Sequence, residues 1–97
     1  MPMSETKYEV KYTSHFKKDY RLAVKRGQNI QLLHEIIFKL ADDHILPDKN
    51  RDHALTGDWA GFRECHITPD WLLVYKKEEG ILVLTLTRLG SHSDLAF

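Results

Sequence analysis

The apolar residues of this chain change their period several times, and the order of those changes restricts the fold more than any other feature. Tyr8, Val10 and Tyr12 alternate with Glu9, Lys11 and Thr13, the period of a strand with one buried face, which predicts a strand over about 7 to 13. Ser14 is the expected N-cap of a helix in which Phe16, Tyr20, Ala23 and Val24 recur at helical spacing until Gly27, a natural stop. Asn29 is the expected cap of a second helix, whose stripe of Ile30, Leu33, Ile36, Ile37 and Leu40 ends near Asp42 to Pro47. The short connection at Gly27 favours an antiparallel helix hairpin. From Asp48 to Gly61 the residues are polar and turn-prone and read as a loop. Phe62 to Ile67, Trp71 to Lys77 and Ile81 to Leu89, separated by Thr68-Pro69-Asp70 and Glu78-Glu79-Gly80, read as a three-stranded meander.

The resulting order, β-α-α-β-β-β, is an α+β pattern: an antiparallel sheet with the helix hairpin on one face and the other face left for function or partners. No repeat or linker divides the sequence, and 97 residues suit a single domain spanning 1–97. The longest uninterrupted apolar run, Trp71 to Tyr75, is far shorter than the ~20 residues of a membrane span. The expectation is therefore a cytoplasmic protein that engages no membrane. One cysteine, Cys65, forms no internal disulfide, so stability must come from the core.

Fourteen Lys plus Arg balance fourteen Asp plus Glu, which removes any long-range pull on nucleic acid. The distribution is uneven. Residues 1–30 carry seven basic and three acidic side chains, net +4, with Lys17, Lys18, Arg21, Lys25 and Arg26 clustered along the first helix. A solvated helix face explains such a cluster as readily as a phosphate-binding one.

Along the first strand of the meander, Phe62, Glu64 and His66 point to one face and Arg63, Cys65 and Ile67 to the other. The last strand ends in Thr87-Arg88-Leu89-Gly90-Ser91-His92, where Gly90 permits a tight bend. His53 lies in the polar loop, and Asp70 and Trp71 at a turn. Converged on one site, these groups meet the needs of metal-free RNA cleavage. The 2′-hydroxyl needs a base, the leaving 5′-oxygen an acid, and the transferring phosphate a cation. Imidazoles suit the first two roles and Arg88 the third. Trp71 and Phe97 are candidates for stacking on bases.

The plainer readings are weighed beside these. His15, His34 and His44 read as ordinary polar side chains, Trp71 and Phe62 are aromatics of the kind that usually fill cores, and Trp59 suits an anchor for its loop. No Cys-x-x-Cys or His-x-x-x-His spacing supports a metal site, so no metal or other cofactor is expected. Cys65 and His66 are adjacent and point apart, which disfavours a thiol nucleophile.

The stretch from Asp52 to Tyr75, containing Asp52-His53, Gly57-Asp58-Trp59, Arg63-Glu64-Cys65-His66 and Pro69-Asp70-Trp71, followed by Arg88-Leu89-Gly90-Ser91-His92, resembles the YafQ branch of the RelE/ParE toxin superfamily. That resemblance implies a compact RelE-like, microbial-ribonuclease-type α+β fold. It further implies a type II toxin, a ribosome-dependent mRNA endoribonuclease that is neutralised by a cognate DinJ/RelB-type antitoxin and reaches operator DNA only through it. On matching positions it implies a catalytic cluster of His53, Glu64, His66, Asp70 and His92, supported by Trp71 and Arg88. His92 is the favoured general acid, and His53, His66 and Asp70 compete for the role of base. Family members commonly end His-Ser-Asp-Leu-Phe, whereas here Ala96 intervenes before Phe97. Two other functions remain open from sequence: an inactive antitoxin-binding co-repressor, and a ParE-like gyrase inhibitor.

Overall fold

The computed structural model describes residues 6–95. The first strand, β1 (Glu9–Tyr12), leads into helix α1 (Ser14–Lys25) and helix α2 (Ile30–Ala41). A single-turn 3-10 helix at Asp48–Asn50 precedes the two-residue strand β2 (His53–Ala54), and a second one at Gly57–Trp59 precedes strand β3 (Arg63–Thr68). Strands β4 (Trp71–Glu78) and β5 (Val83–Gly90) complete the sheet, and a short helix α3 (His92–Leu95) follows.

Local chemistry accounts for the helix boundaries. Asn29 caps α2 as expected, its side chain accepting from the Leu32 amide at 3.2 Å. At α1 the cap is Thr13 rather than Ser14. The Thr13 hydroxyl accepts from the Phe16 amide and donates to the Thr87 carbonyl at 2.8 Å, so one residue both starts the helix and ties it to β5. Gly27, at φ 74°, turns the chain out of α1 in the left-handed region that glycine enters without strain.

The sheet order is β1-β5-β4-β3-β2. Strands β2 to β5 pair antiparallel, as the meander predicts, but β1 lies parallel to β5, with Val10 opposite Leu84. The sheet is thus mixed rather than wholly antiparallel, because two intervening helices let β1 reach β5 pointing the same way. The fifth strand, β2, falls inside the segment read as a loop; two residues are too few to show a period.

Both helices cover one face. Phe16 and Ala23 of α1 and Leu33, Ile36, Ile37 and Leu40 of α2 pack with Cys65, Leu73, Tyr75, Leu84 and Leu86 in the main core. Tyr8 is buried against the same core, whereas Tyr12 stands exposed at its rim. Leu72 and Val74 form a second, smaller cluster on the opposite face with Leu95, flanked by Leu55, Trp59 and Phe62.

Alternation along β4 decides where Trp71 goes. It shares parity with Leu73 and Tyr75, is 2% exposed, and belongs to the main core. The expectation of an exposed Trp71 ring beside substrate is therefore corrected, because its face of β4 is the one beneath the helices. Burial also raises the Cys65 thiol above its ordinary value, in keeping with a thiol that takes no part in chemistry. Trp71→Ala is expected to destabilise the fold by about 3–5 kcal/mol in urea titration, the cost of emptying a core site of that size.

Candidate active site

Register across the open face places the candidate residues in rows. Arg88 pairs with Val74, Val74 with Glu64, and Glu64 with His53, so these four residues cross strands β5, β4, β3 and β2 in line. The next row runs from Gly90 through Leu72 to His66. Directly paired residues of neighbouring strands share a face. The side chains of Arg88, Glu64, His53 and His66 are thereby brought to the side of the sheet that the helix hairpin leaves open.

Arg88 reaches that side through an irregularity. Leu84 and Leu86 face the main core, and strict alternation would send Arg88 there too. A bulge shifts the register so that Tyr75 pairs with Leu86 but Val74 pairs with Arg88. The extra residue, Thr87, turns Arg88 over to the open face and returns Leu89 to the core. Beyond Leu86 the edge of β5 is no longer covered by β1, and Asp19 of α1 takes over. Its carboxylate accepts from the Leu89 amide at 2.9 Å and from Arg88 Nε at 2.8 Å. Asp19 thus fixes the guanidinium stem through Nε.

The histidines form a chain of neighbours. His66 lies between His53, at a ring-centroid distance of 6.3 Å, and His92, at 5.6 Å. Each ring is held through Nδ1. In His53 it faces the Arg51 carbonyl at 2.6 Å, in His66 the Pro69 carbonyl at 3.3 Å, and in His92 the Asp70 carboxylate at 2.5 Å. Carbonyls and carboxylates only accept, so these contacts place a proton on Nδ1 and leave Nε2 as the chemically available nitrogen. In His53 that nitrogen lies 3.5 Å from Glu64 Oε1, in ion-pair range. Asp70 also accepts from the His92 amide at 3.0 Å. That backbone bond, and then the ring bond, hold the Asp70 carboxyl below the usual carboxylate range. The Asp70 carboxylate is thus engaged by His92 through both its amide and its ring.

Several residues that sequence reasoning did not single out support this arrangement. Asn50, 4% exposed, donates to the His66 carbonyl at 2.8 Å and pins β3 at the row that carries His66. Asp52 accepts from Tyr75 at 2.6 Å and from Arg63 at 3.3 Å on the helix side, anchoring the segment that presents His53 on the other. The Asp52-His53 pair in the sequence was the available signal. Tyr75, buried and bonded to Asp52, has its hydroxyl raised well above the usual range. Phe97 lies outside the described residues. Among the described residues no group of three or more His, Cys, Asp or Glu side chains is placed to hold a metal ion.

The site is open. A groove of about 520 Å³ lies on the helix side among Tyr12, Phe16, Tyr20 and His34. Another of about 740 Å³ lies beside Asp43, Arg51 and Lys77. Neither contains His53, His66 or His92. His53 and His92 stand exposed, while Glu64 and His66 are each only 8% exposed, so the candidate groups lie at mixed depth along the sheet surface.

With that geometry in hand, comparison with known proteins is decisive: residues 8–97 match the family described as the bacterial toxin of type II toxin-antitoxin systems, YafQ. The chain belongs to the YafQ toxin family. The mRNA interferase toxin YafQ of Escherichia coli K12 is 34% identical over 88 residues, covering 90% of this chain and 94% of its own length. The crystal structure of E. coli YafQ superimposes with a TM-score of 0.85 at 32% identity, covering 91% of this chain and 97% of that one. YafQ in the E. coli DinJ–YafQ toxin-antitoxin complex gives a TM-score of 0.84 at 33% identity, covering 92% of this chain and 97% of that one. The family thus accounts for the mixed sheet and hairpin as well as the motif. No helix among the described residues is long and apolar enough to cross a membrane.

The segment after β5 is set by electrostatics. Asp94 accepts from Arg26 Nη1 at 2.7 Å and from the Ser91 amide at 3.0 Å. Arg26 first, then the Ser91 amide, lower its carboxyl to about 2. A depressed carboxylate stabilises the fold above its unfolded pKa of roughly 3.9, and that contribution is lost as pH falls towards the folded value. Urea midpoints of the wild type should therefore drop between pH ~4 and ~2, with a smaller drop for Arg26→Ala measured in parallel.

Proposed function

We propose that this YafQ-family chain is an mRNA endoribonuclease that cleaves within the translating ribosome, inhibiting translation and growth, and that a cognate antitoxin neutralises it. The observation carrying the reading is the run of His53, His66 and His92 on one open sheet face, each with Nδ1 engaged. In the proposed reaction His66, central in that run, takes the proton of the 2′-hydroxyl. The 2′-oxygen attacks phosphorus, the bond from phosphorus to the 5′-oxygen breaks, and His92 delivers a proton to that oxygen. The products are a 2′,3′-cyclic phosphate and a 5′-hydroxyl. Such acid-base catalysis contributes about 10²–10⁴-fold per group.

Supporting roles follow from placement. Arg88, with its stem tied to Asp19, offers the terminal guanidinium nitrogens to the phosphate as negative charge develops. Glu64, 8% exposed beside His53, orients that ring and supplies a negative charge near the base. Asp70 keeps His92 in the tautomer that presents Nε2. The exposure of His53 and His92 supports ribosome dependence, since a large partner is needed to exclude water and position the strand over them.

The antitoxin is proposed by likeness to the E. coli complex with DinJ. Lys17 and Arg21, exposed on α1, line the apolar groove of Tyr12, Phe16 and Tyr20. An apolar segment with acidic flanks fits that chemistry. Contact with operator DNA is assigned to the antitoxin, since the chain itself has no net positive charge. Reversing Lys17 and Arg21 to Glu should weaken the toxin-antitoxin complex at least about tenfold by calorimetry while leaving the melting profile intact, an effect of lost charge pairing.

The central test is 5′-end mapping of cellular transcripts after brief induction of wild type and His92→Ala. The expected result is new 5′ ends at a fixed position within translated codons, for wild type alone. Absence of such ends with folded wild type would overturn the nuclease reading and leave antitoxin binding or gyrase as the target to pursue.

A further inference from the structure

We propose that Arg26 and Asp94 form a clasp that positions His92, which makes Arg26, at the C-terminal end of α1, a positioning residue for cleavage. The inference rests on the reading of His92 as general acid.

Helix α3 is four residues long. A segment that short has no stability of its own, because nucleating one turn costs more than its few hydrogen bonds return. Its position must be imposed from outside. Asp70 touches the His92 ring and amide, but its own side chain is 71% exposed on a turn. It can orient the ring without fixing where the helix lies. Leu95 seats the far end of α3 against Leu72 and Val74. The near end, which carries His92, is held by Asp94.

Asp94 does this by joining two structures through one oxygen. The Ser91 hydroxyl accepts from the Asp94 amide at 3.1 Å, and Asp94 Oδ2 accepts in return from the Ser91 amide, the reciprocal pattern of a capping box. The same Oδ2 receives Arg26 Nη1. Arg26 is the C-cap of α1, its amide donating to the Leu22 carbonyl and that of Gly27 to Val24, so the guanidinium springs from a helix packed into the main core. The packing is close enough to dictate a neighbouring residue. A Cβ at Gly90 would lie 2.8 Å from Asp94 Cβ, and any side chain there would push the carboxylate off Arg26. Arg26 is also distinct among the basic residues of α1. Lys17 lies over the Tyr12 ring, and among the described residues none of Lys17, Lys18, Arg21 or Lys25 carries an ion pair. A half-exposed ion pair contributes little to global stability. Its effect should appear in the geometry of His92 and hence in turnover.

The experiment uses ribosomes programmed with a defined mRNA, and compares wild type with Arg26→Ala, Arg26→Lys, Asp94→Ala, the Arg26→Ala/Asp94→Ala double variant and His92→Ala. The clasp predicts that Arg26→Ala lowers kcat by between about tenfold and a hundredfold at unchanged KM, as expected of misplacement by about an ångström. It also predicts partial rescue in Arg26→Lys and a double variant no worse than Asp94→Ala alone. NMR of the free toxin supplies a readout independent of cleavage: the His92 ring signals should shift in Arg26→Ala while those of His53 stay in place. A loss confined to KM, or losses of Arg26→Ala and Asp94→Ala that simply multiply, would make Arg26 a ribosome contact and overturn the clasp. Unchanged His92 signals would overturn it as well. Full activity of His92→Ala would instead remove the general-acid reading, with the NMR comparison still deciding whether Arg26 holds that segment.

Discussion

Burial of both faces of β4 is the constraint on which the rest of the molecule depends. Trp71, Leu73 and Tyr75 form one side of a central strand and Leu72 and Val74 the other, and all five are 2% exposed or less. A strand buried on both faces needs two covers. The helix hairpin supplies one and is amphipathic enough to close it. Leu95, Leu55, Trp59 and Phe62 supply the other, and they cover only part of it. The uncovered remainder is where Glu64, His66 and Arg88 emerge. The site exists because the second cover is incomplete, and its residues are precise because they grow from the best-packed strands of the sheet.

Within that site the imidazoles are oriented mostly by backbone. The Arg51 and Pro69 carbonyls engage Nδ1 of His53 and His66, and only in His92 is the Nδ1 partner a side chain, Asp70. Backbone acceptors in turns are placed by the fold itself, so His53 is set by the segment entering β2 and His66 by the turn between β3 and β4. The third sits on a segment attached by polar contacts alone at its leading end, which makes it the most adjustable member of the cluster.

Much of this could be read from residues alone, and the parts that could not have identifiable causes. The α2 stripe and its Asn29 cap follow from strong 3.6-residue periodicity and one specific side chain. The facing of Glu64 and His66 against Cys65 follows from alternation in an unbroken strand. Strand β2 was missed because two residues carry no period. The parallel sense of β1 depends on a pairing across more than seventy positions, for example Val10 with Leu84, that no local pattern encodes. Trp71 carries two readings from sequence, a base platform and a core aromatic, and its parity with Leu73 along β4 decides for the core. Arg88 is the opposite case. Its place on the open face was anticipated from the motif, although simple alternation argues against it, and the bulge at Thr87 reconciles the two.

The pairing of β1 with β5 bears on how the molecule comes into being. The earliest strand of the chain is completed only by the last, and Thr13 reaches across the same gap to the Thr87 carbonyl. Contacts so distant in sequence form late, because loop closure must precede them. Until β1 and β5 meet, α1 has no Thr87 carbonyl to tie it down, and the row of Arg88, Val74, Glu64 and His53 lacks the strand of its first member. The sheet therefore closes as a unit, and a partly made chain carries no finished candidate site.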